Sequence, residues 1–182
     1  MRRKVTCTAS TRTGELAALL VAQLDLTALV VVDGPDGLAD DLAGAAAAQG
    51  FEPRVHAGGW ADAAGSDLVV LDAVSPGTAA EIAARCPGAV VVVATRDVLA
   101  DVEALLAATR LPRARILGAP VQDAGPVTAA ALATEVVDAV LRDRRRALRV
   151  AVQALPEDEA AGAPGVAVRE ARVGAGGVQQ LT

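Results

Sequence analysis

The sequence predicts an α/β protein: a doubly wound, mostly parallel sheet with a C-terminal helix and a β-hairpin attached to it. Two observations predict this. Short apolar runs alternate with helical segments through the first 118 residues, the order that a parallel sheet with right-handed crossovers requires. The runs Leu29–Val32 and Ala89–Val93 are continuous rather than alternating, which suits strands buried on both faces.

The elements follow in order. Residues 3–8 read as the first strand and 14–25 as a helix, with Leu16, Leu19, Leu20 and Leu24 at helical spacing as its apolar face. Leu29–Val32 is the second strand and 37–49 the second helix, closed by Gly50. Residues 54–56 make a short strand, and 67–71 a clear one. A helix over 77–86 ends at Pro87-Gly88, and Ala89–Val93 is the strongest strand of the chain. A helix over 97–109 and a short strand at 115–117 complete the alternation, giving about six mostly parallel strands. A Pro-, Gly- and Asp-rich loop (119–126) then leads to a long helix, 127–147. Leu148–Ala154 and Gly165–Arg172 alternate and flank the loop around Pro156 and Pro164, an antiparallel hairpin. Residues 174–182 read as a tail with one helical turn. The two parts, 1–126 and 127–182, form a single compact unit, and there is no internal repeat.

Composition excludes several classes. A net charge of −5, with Arg142–Arg149 the only basic tract, argues against nucleic acid as a partner. Two isolated cysteines and one histidine do not make a structural zinc site. No long apolar segment follows the basic start, so no membrane span or signal sequence is expected and the expected compartment is the cytoplasm. Aromatics are limited to Phe51 and Trp60, so the core must be small aliphatic side chains.

The loop Ala9-Ser10-Thr11-Arg12-Thr13-Gly14 joins the first strand to the first helix. A Rossmann-like sheet carries G-x-G-x-x-G there, so that a pyrophosphate can approach the helix N-terminus. Only the third glycine, Gly14, stands here. Ser10, Thr11 and Thr13 can cap the helix, and Arg12 could hold an anion or simply be an exposed arginine. Asp33, after the second strand, stands where a ribose-binding acid would; Asp-Gly-Pro-Asp-Gly is also an ordinary turn composition.

Four stretches together resemble the malate/lactate dehydrogenase family: Lys4–Leu20, Leu29–Ala43, Gly65–Gly77, and Val136–Val152 with the hairpin and Gly174–Val178 after it. Leu111–Gly118 is similar to the family's connection into its sixth strand. The resemblance implies a Rossmann-like domain followed by a helix-and-hairpin remnant of the family's substrate domain. It also implies NAD as the family's cofactor, with Gly14 and Asp33 as the residues that would hold it. The departures are as informative. Ser75-Pro76 runs straight into Gly77, so the family's gating loop with its arginine is deleted. Thr95-Arg96 stands for the family's Asn-Pro, and Asp123-Ala124-Gly125-Pro126 keeps an aspartate but not the arginine. The segment with the family's catalytic histidine has no counterpart, and His56 lies too early to replace it. An ordinary dehydrogenase, which needs a proton donor and a cation for the substrate carboxylate, is therefore a poor reading.

Open α/β sheets bind ligands at the C-terminal ends of their strands. The candidates there are Asp72, Asp123 and Arg96 for catalysis, with Ser10, Thr11, Arg12, Ser75 and Thr95 for substrate binding. Asp72 and Arg96, from neighbouring strands, would form an acid–base or substrate-binding pair, or else a structural salt bridge. His56 reads as structural or exposed, and Trp60 as a cover for the sheet edge or an interface. Three functions stand side by side. One is a repurposed small-molecule enzyme doing cofactor-independent acid–base chemistry: cyclisation, isomerisation, elimination or hydrolysis. The second is a non-catalytic nucleotide-binding or hetero-oligomer partner module. The third is an atypical NAD(P) oxidoreductase. The expected partners are a small-molecule substrate and a second copy of the chain, since loss of half a domain should expose apolar surface.

Overall fold

The computed structural model describes residues 3–50, 54–120, 124–154 and 165–181. They form one nine-stranded sheet. Its strands are β1 (Arg3–Thr8), β2 (Thr27–Val32), β3 (Arg54–Ala57), β4 (Leu68–Leu71), β5 (Val90–Val93), β6 (Ile116–Gly118), β7 (Arg146–Gln153), β8 (Val166–Gly174) and β9 (Gly177–Leu181). The helices are α1 (Arg12–Gln23), α2 (Leu38–Ala48), α3 (Pro76–Arg85), α4 (Val98–Ala108) and α5 (Pro126–Leu141). The strand order is β3-β2-β1-β4-β5-β6-β7-β8-β9, parallel from β3 to β6 and antiparallel from there to β9. Chain order reverses direction between β1 and β4, which makes the C-terminal ends of those strands the switch point of the sheet.

The continuous apolar strands are explained by the two layers. In β5, Val90 and Val92 face one core cluster and Val91 and Val93 the other. In β4, Leu68 and Val70 face the first, Val69 and Leu71 the second. The first cluster is covered by α1, α2 and α5, and the second by α3 and α4. Every position of such a strand must be apolar, because neither face meets water.

Three expectations are corrected. The sheet-facing side of α1 is Gly14, Ala17, Ala18, Val21 and Ala22, while the four leucines flank it partly buried. Small side chains face inward because α1 is packed against both the sheet and α5. The long helix stops at Leu141 rather than 147, because Asp143 and Arg145 take φ of 48° and 51° and turn the chain into β7. The tail is not a helical turn: Gly177–Leu181 pairs with β8 as an antiparallel strand. The hairpin also does more than attach to the sheet, since β7 pairs with β6 and continues it. The hairpin loop, 155–164, lies outside the described residues.

Val127 is the exposed large hydrophobic residue among the described residues. Trp60 is partly buried on the α3–α4 side of the core, and His56 is exposed on β3. No described helix is long and apolar enough to cross a membrane.

Candidate functional site

Two constellations stand at the C-terminal ends of the strands. The first centres on Asp72, just after β4. The parallel register sets Cys7 opposite Val70, so Asp72 reaches the loop that follows β1. Its carboxylate is buried, at 6% exposure. Thr8 Oγ1 donates to Oδ1 at 2.6 Å, Ser10 Oγ donates to Oδ1 and Oδ2 at 3.1 and 3.2 Å, and the Thr11 amide donates to Oδ2 at 2.5 Å. In return the Asp72 amide donates to Thr8 Oγ1 at 3.0 Å. Thr11 is the N-cap of α1, and its hydroxyl accepts from the Gly14 amide. The carboxylate therefore sits at the positive end of a helix with three donor groups turned on it. Cys7 lies behind it in β1; burial, and then the Asp72 charge, push its thiol well above the ordinary range.

Gly14 makes this packing sterically feasible. A Cβ there would come within 3.0 Å of Asp72 Oδ2 and of the Thr8 carbonyl oxygen, closer than real Cβ contacts.

The second constellation is a cleft of about 420 Å³ between the ends of β5, α1 and α5. Thr13, Thr95, Arg96, Gly125 and Pro126 are among its walls. Thr95 is 7% exposed and its Oγ1 has no hydrogen-bond partner among the described residues. A buried hydroxyl left in this state costs about 1–3 kcal/mol, so a ligand atom that engages it gains that amount back. Arg96 beside it is exposed. Across the cleft α5 begins with Gly125 as N-cap and Pro126 in its first turn, and no side chain among the described residues caps it. An arginine, a helix N-terminus and a hydroxyl donor around one space make a set suited to an anion.

The structure brings Ser10, Thr11, Gly14 and Asp72 together in the first constellation and Thr95 and Arg96 in the second. Asp72 turns to the β1–α1 loop and not toward Arg96; no ion pair joins the two among the described residues. Arg12 is exposed and paired with Glu15 at 2.6 Å, within its own helix. Ser75 caps α3, accepting from the Thr78 amide at 3.1 Å. Asp33 is exposed after β2, in the left-handed region at φ 56°. Asp123 lies outside the described residues. Sequence reasoning missed Thr8 and the wall at Thr13, Gly125 and Pro126. Thr8 was within reach, as a hydroxyl residue ending a strand that feeds the loop. The α5 wall needs the tertiary fold.

No protein-family model matches the chain. Curated relatives are malate dehydrogenases. That of Oceanobacillus iheyensis is 32% identical over 143 residues, covering 64% of this chain and 46% of the relative. That of Bacillus subtilis is 29% identical over 143 residues, with the same coverage. The chain thus spans about half the length of the curated relatives it matches. Among solved structures, malate dehydrogenase from Aeropyrum pernix superposes with a TM-score of 0.85 at 18% identity, over 98% of this chain and 89% of that one. Lactate dehydrogenase from Cryptosporidium parvum, solved with lactic acid and nicotinamide adenine dinucleotide, gives 0.88 at 14% identity, over 100% and 90%. The fold is that of the malate/lactate dehydrogenases.

Such a fold lays a dinucleotide across the switch point, with its pyrophosphate at the head of the first helix and an acid on the ribose. Asp33 fits the second requirement. The cradle does not fit the first. The Thr11 amide, at the N-cap of α1, is taken by Asp72, whose buried negative charge stands where phosphate charge would have to come.

Proposed function

We propose that this malate/lactate dehydrogenase-like chain is a small-molecule enzyme. It would act on an anionic substrate in the Thr95–Arg96 cleft by cofactor-independent acid–base chemistry: cyclisation, isomerisation, elimination or hydrolysis. The observation that carries the reading is the buried Thr95 hydroxyl, without a partner among the described residues, on a cleft that also has an exposed arginine and a helix N-terminus that no described side chain caps. Arg96 would hold the anionic group, Thr95 would donate to it, and the first amides of α5 would face the same charge. Asp123, two residues before the N-cap of α5 in the sequence, is the carboxylate we assign to proton transfer. Asp72 is not given that role, because its oxygens already accept from Thr8, Ser10 and Thr11.

A thermal-shift and calorimetric panel of small mono- and dicarboxylates, malate and lactate included and without nucleotide, tests the reading. A charged hydrogen bond contributes about 1.5–3 kcal/mol. R96A should therefore weaken the best carboxylate by about 10- to 100-fold, and T95V by a smaller factor. Binding unchanged in both variants would refute the site. Binding that depends on Arg96 while no turnover is found, and D123N behaves as wild type, would instead favour a non-catalytic ligand-binding module.

A further inference from the structure

We propose that Asp72 is a built-in anion that fills the phosphate cradle at the head of α1 and bars phosphate-bearing ligands from it. The head of the first helix after a βα turn is a general anion site: its amides point outward and its dipole favours negative charge. In this chain the anion is supplied from within. The Asp72 carboxylate is buried and takes the Thr11 amide, the Ser10 hydroxyl and the Thr8 hydroxyl. Gly14 leaves the gap in which Oδ2 sits, since a Cβ there would overlap it. A phosphate group approaching the same amides would meet a fixed negative charge and find its donors engaged.

Two neighbouring features agree. Arg12, the cation nearest the head of α1 in sequence, is turned to Glu15 on the helix surface. Asp33 stays exposed at the end of β2, so what is closed is the phosphate cradle and not the whole nucleotide groove. The inference stands on the Asp72 contacts alone and is independent of the Thr95–Arg96 cleft.

Calorimetry on the full chain with adenosine, AMP, ADP and inorganic pyrophosphate tests it. The wild type should show no saturable binding of the phosphate probes up to millimolar concentration. D72S, which removes the charge and shortens the side chain, should bind ADP and pyrophosphate at least about tenfold tighter. The gain should grow from AMP to ADP and be absent for adenosine. Circular dichroism establishes that the variant is folded, and D72N, of the same shape without the charge, takes its place if it is not. A wild type that binds ADP with micromolar affinity, or a folded uncharged variant with no gain, overturns the proposal. If neither variant folds, the wild type decides: indifference to ADP supports the carboxylate as a fixed part of the cradle, and micromolar binding overturns it.

Discussion

The sharpest structural prediction concerns Gly14. Replacing it with alanine adds one methyl group in the first turn of α1. In isolation the change favours the helix by about 1 kcal/mol. Here the new Cβ would lie within 3.0 Å of two oxygens, Asp72 Oδ2 and the carbonyl of Thr8. The second belongs to the β1 backbone, which is held between β2 and β4, so it cannot rotate aside. Overpacking of this kind costs about 1–3 kcal/mol, and a fixed backbone oxygen places G14A at the upper end. The net loss is about 2 kcal/mol. For a domain of this size about 2–4 °C of Tm follows each kcal/mol, so G14A should melt about 4–8 °C below wild type by differential scanning calorimetry. D72S removes one of the two overlapping atoms, so G14A and D72S should be sub-additive in a double-variant cycle. A G14A protein as stable as wild type, or strict additivity with D72S, would refute the packing described for the cradle.

Gly44 is the counter-case: it lies inside α2 and a Cβ there meets nothing within 4 Å, so G44A should stabilise the protein by about 0.5–1 kcal/mol in a urea titration. Asp143 accepts from the Ala175 amide at 2.9 Å and is paired with Arg145, and these contacts hold its carboxyl below the usual 3.8. A depressed folded pKa contributes stability that is present above the ordinary value and is lost as pH falls through the folded one. D143N, which tolerates the left-handed backbone at that position, should therefore flatten the fall of Tm at pH below about 4. The thiols of Cys7 and Cys86 are buried and both are pushed up, chiefly by burial. A disulfide-exchange reagent at pH 8 should find neither in the native protein and both in guanidinium; fast native labelling would show that the core opens.

How much of this was legible in the sequence depended on range. Strands β2, β4 and β5 announced themselves because burial on two faces forces continuous apolar runs, a signal local to each strand. The α-helical ends were harder: Arg142-Asp143-Arg144-Arg145 has ordinary helix-forming composition, and only the packing that sends the chain into β7 puts Asp143 and Arg145 at positive φ. The phase of α1 was misread for a related reason. Leucines signal a buried face, yet close packing against α5 reserves that face for Gly14, Ala17 and Ala18. At the site, Asp72 was visible as an unexpected carboxylate at a strand end, but its partners were not. Thr8 and Ser10 lie more than 60 residues away, and choosing between them and Arg96 required the β1–β4 register. The Thr95 hydroxyl could be suspected; that it is buried without a partner among the described residues depends on the α5 wall, which no local pattern encodes.

The contacts of Asp72 also give a physical reason for the mixed state of the loop, in which one glycine stands and the others do not. Thr11 serves as the N-cap of α1, a position where a side-chain oxygen stabilises the helix and glycine has none to offer. Ser10 and Thr8 donate to the carboxylate; the buried Thr8 hydroxyl would lose its short acceptor without it, at about 1–3 kcal/mol, whereas the exposed Ser10 hydroxyl could turn to water. Gly14 is needed for the opposite reason, because any side chain would displace Oδ2. The donors of a phosphate cradle are thus kept while the acceptor has become part of the chain. An acceptor tethered to β4 acts at a high effective concentration, in the millimolar range or above, and is already bonded and desolvated. A free phosphate ligand must displace it, give up its own hydration and tolerate its charge. On the proposal that Asp72 fills the cradle, a single carboxylate bars a dinucleotide more than the absent glycines do, each a matter of one Cβ, so changing Asp72 should alter dinucleotide binding more than restoring glycine at Ala9 or Thr11.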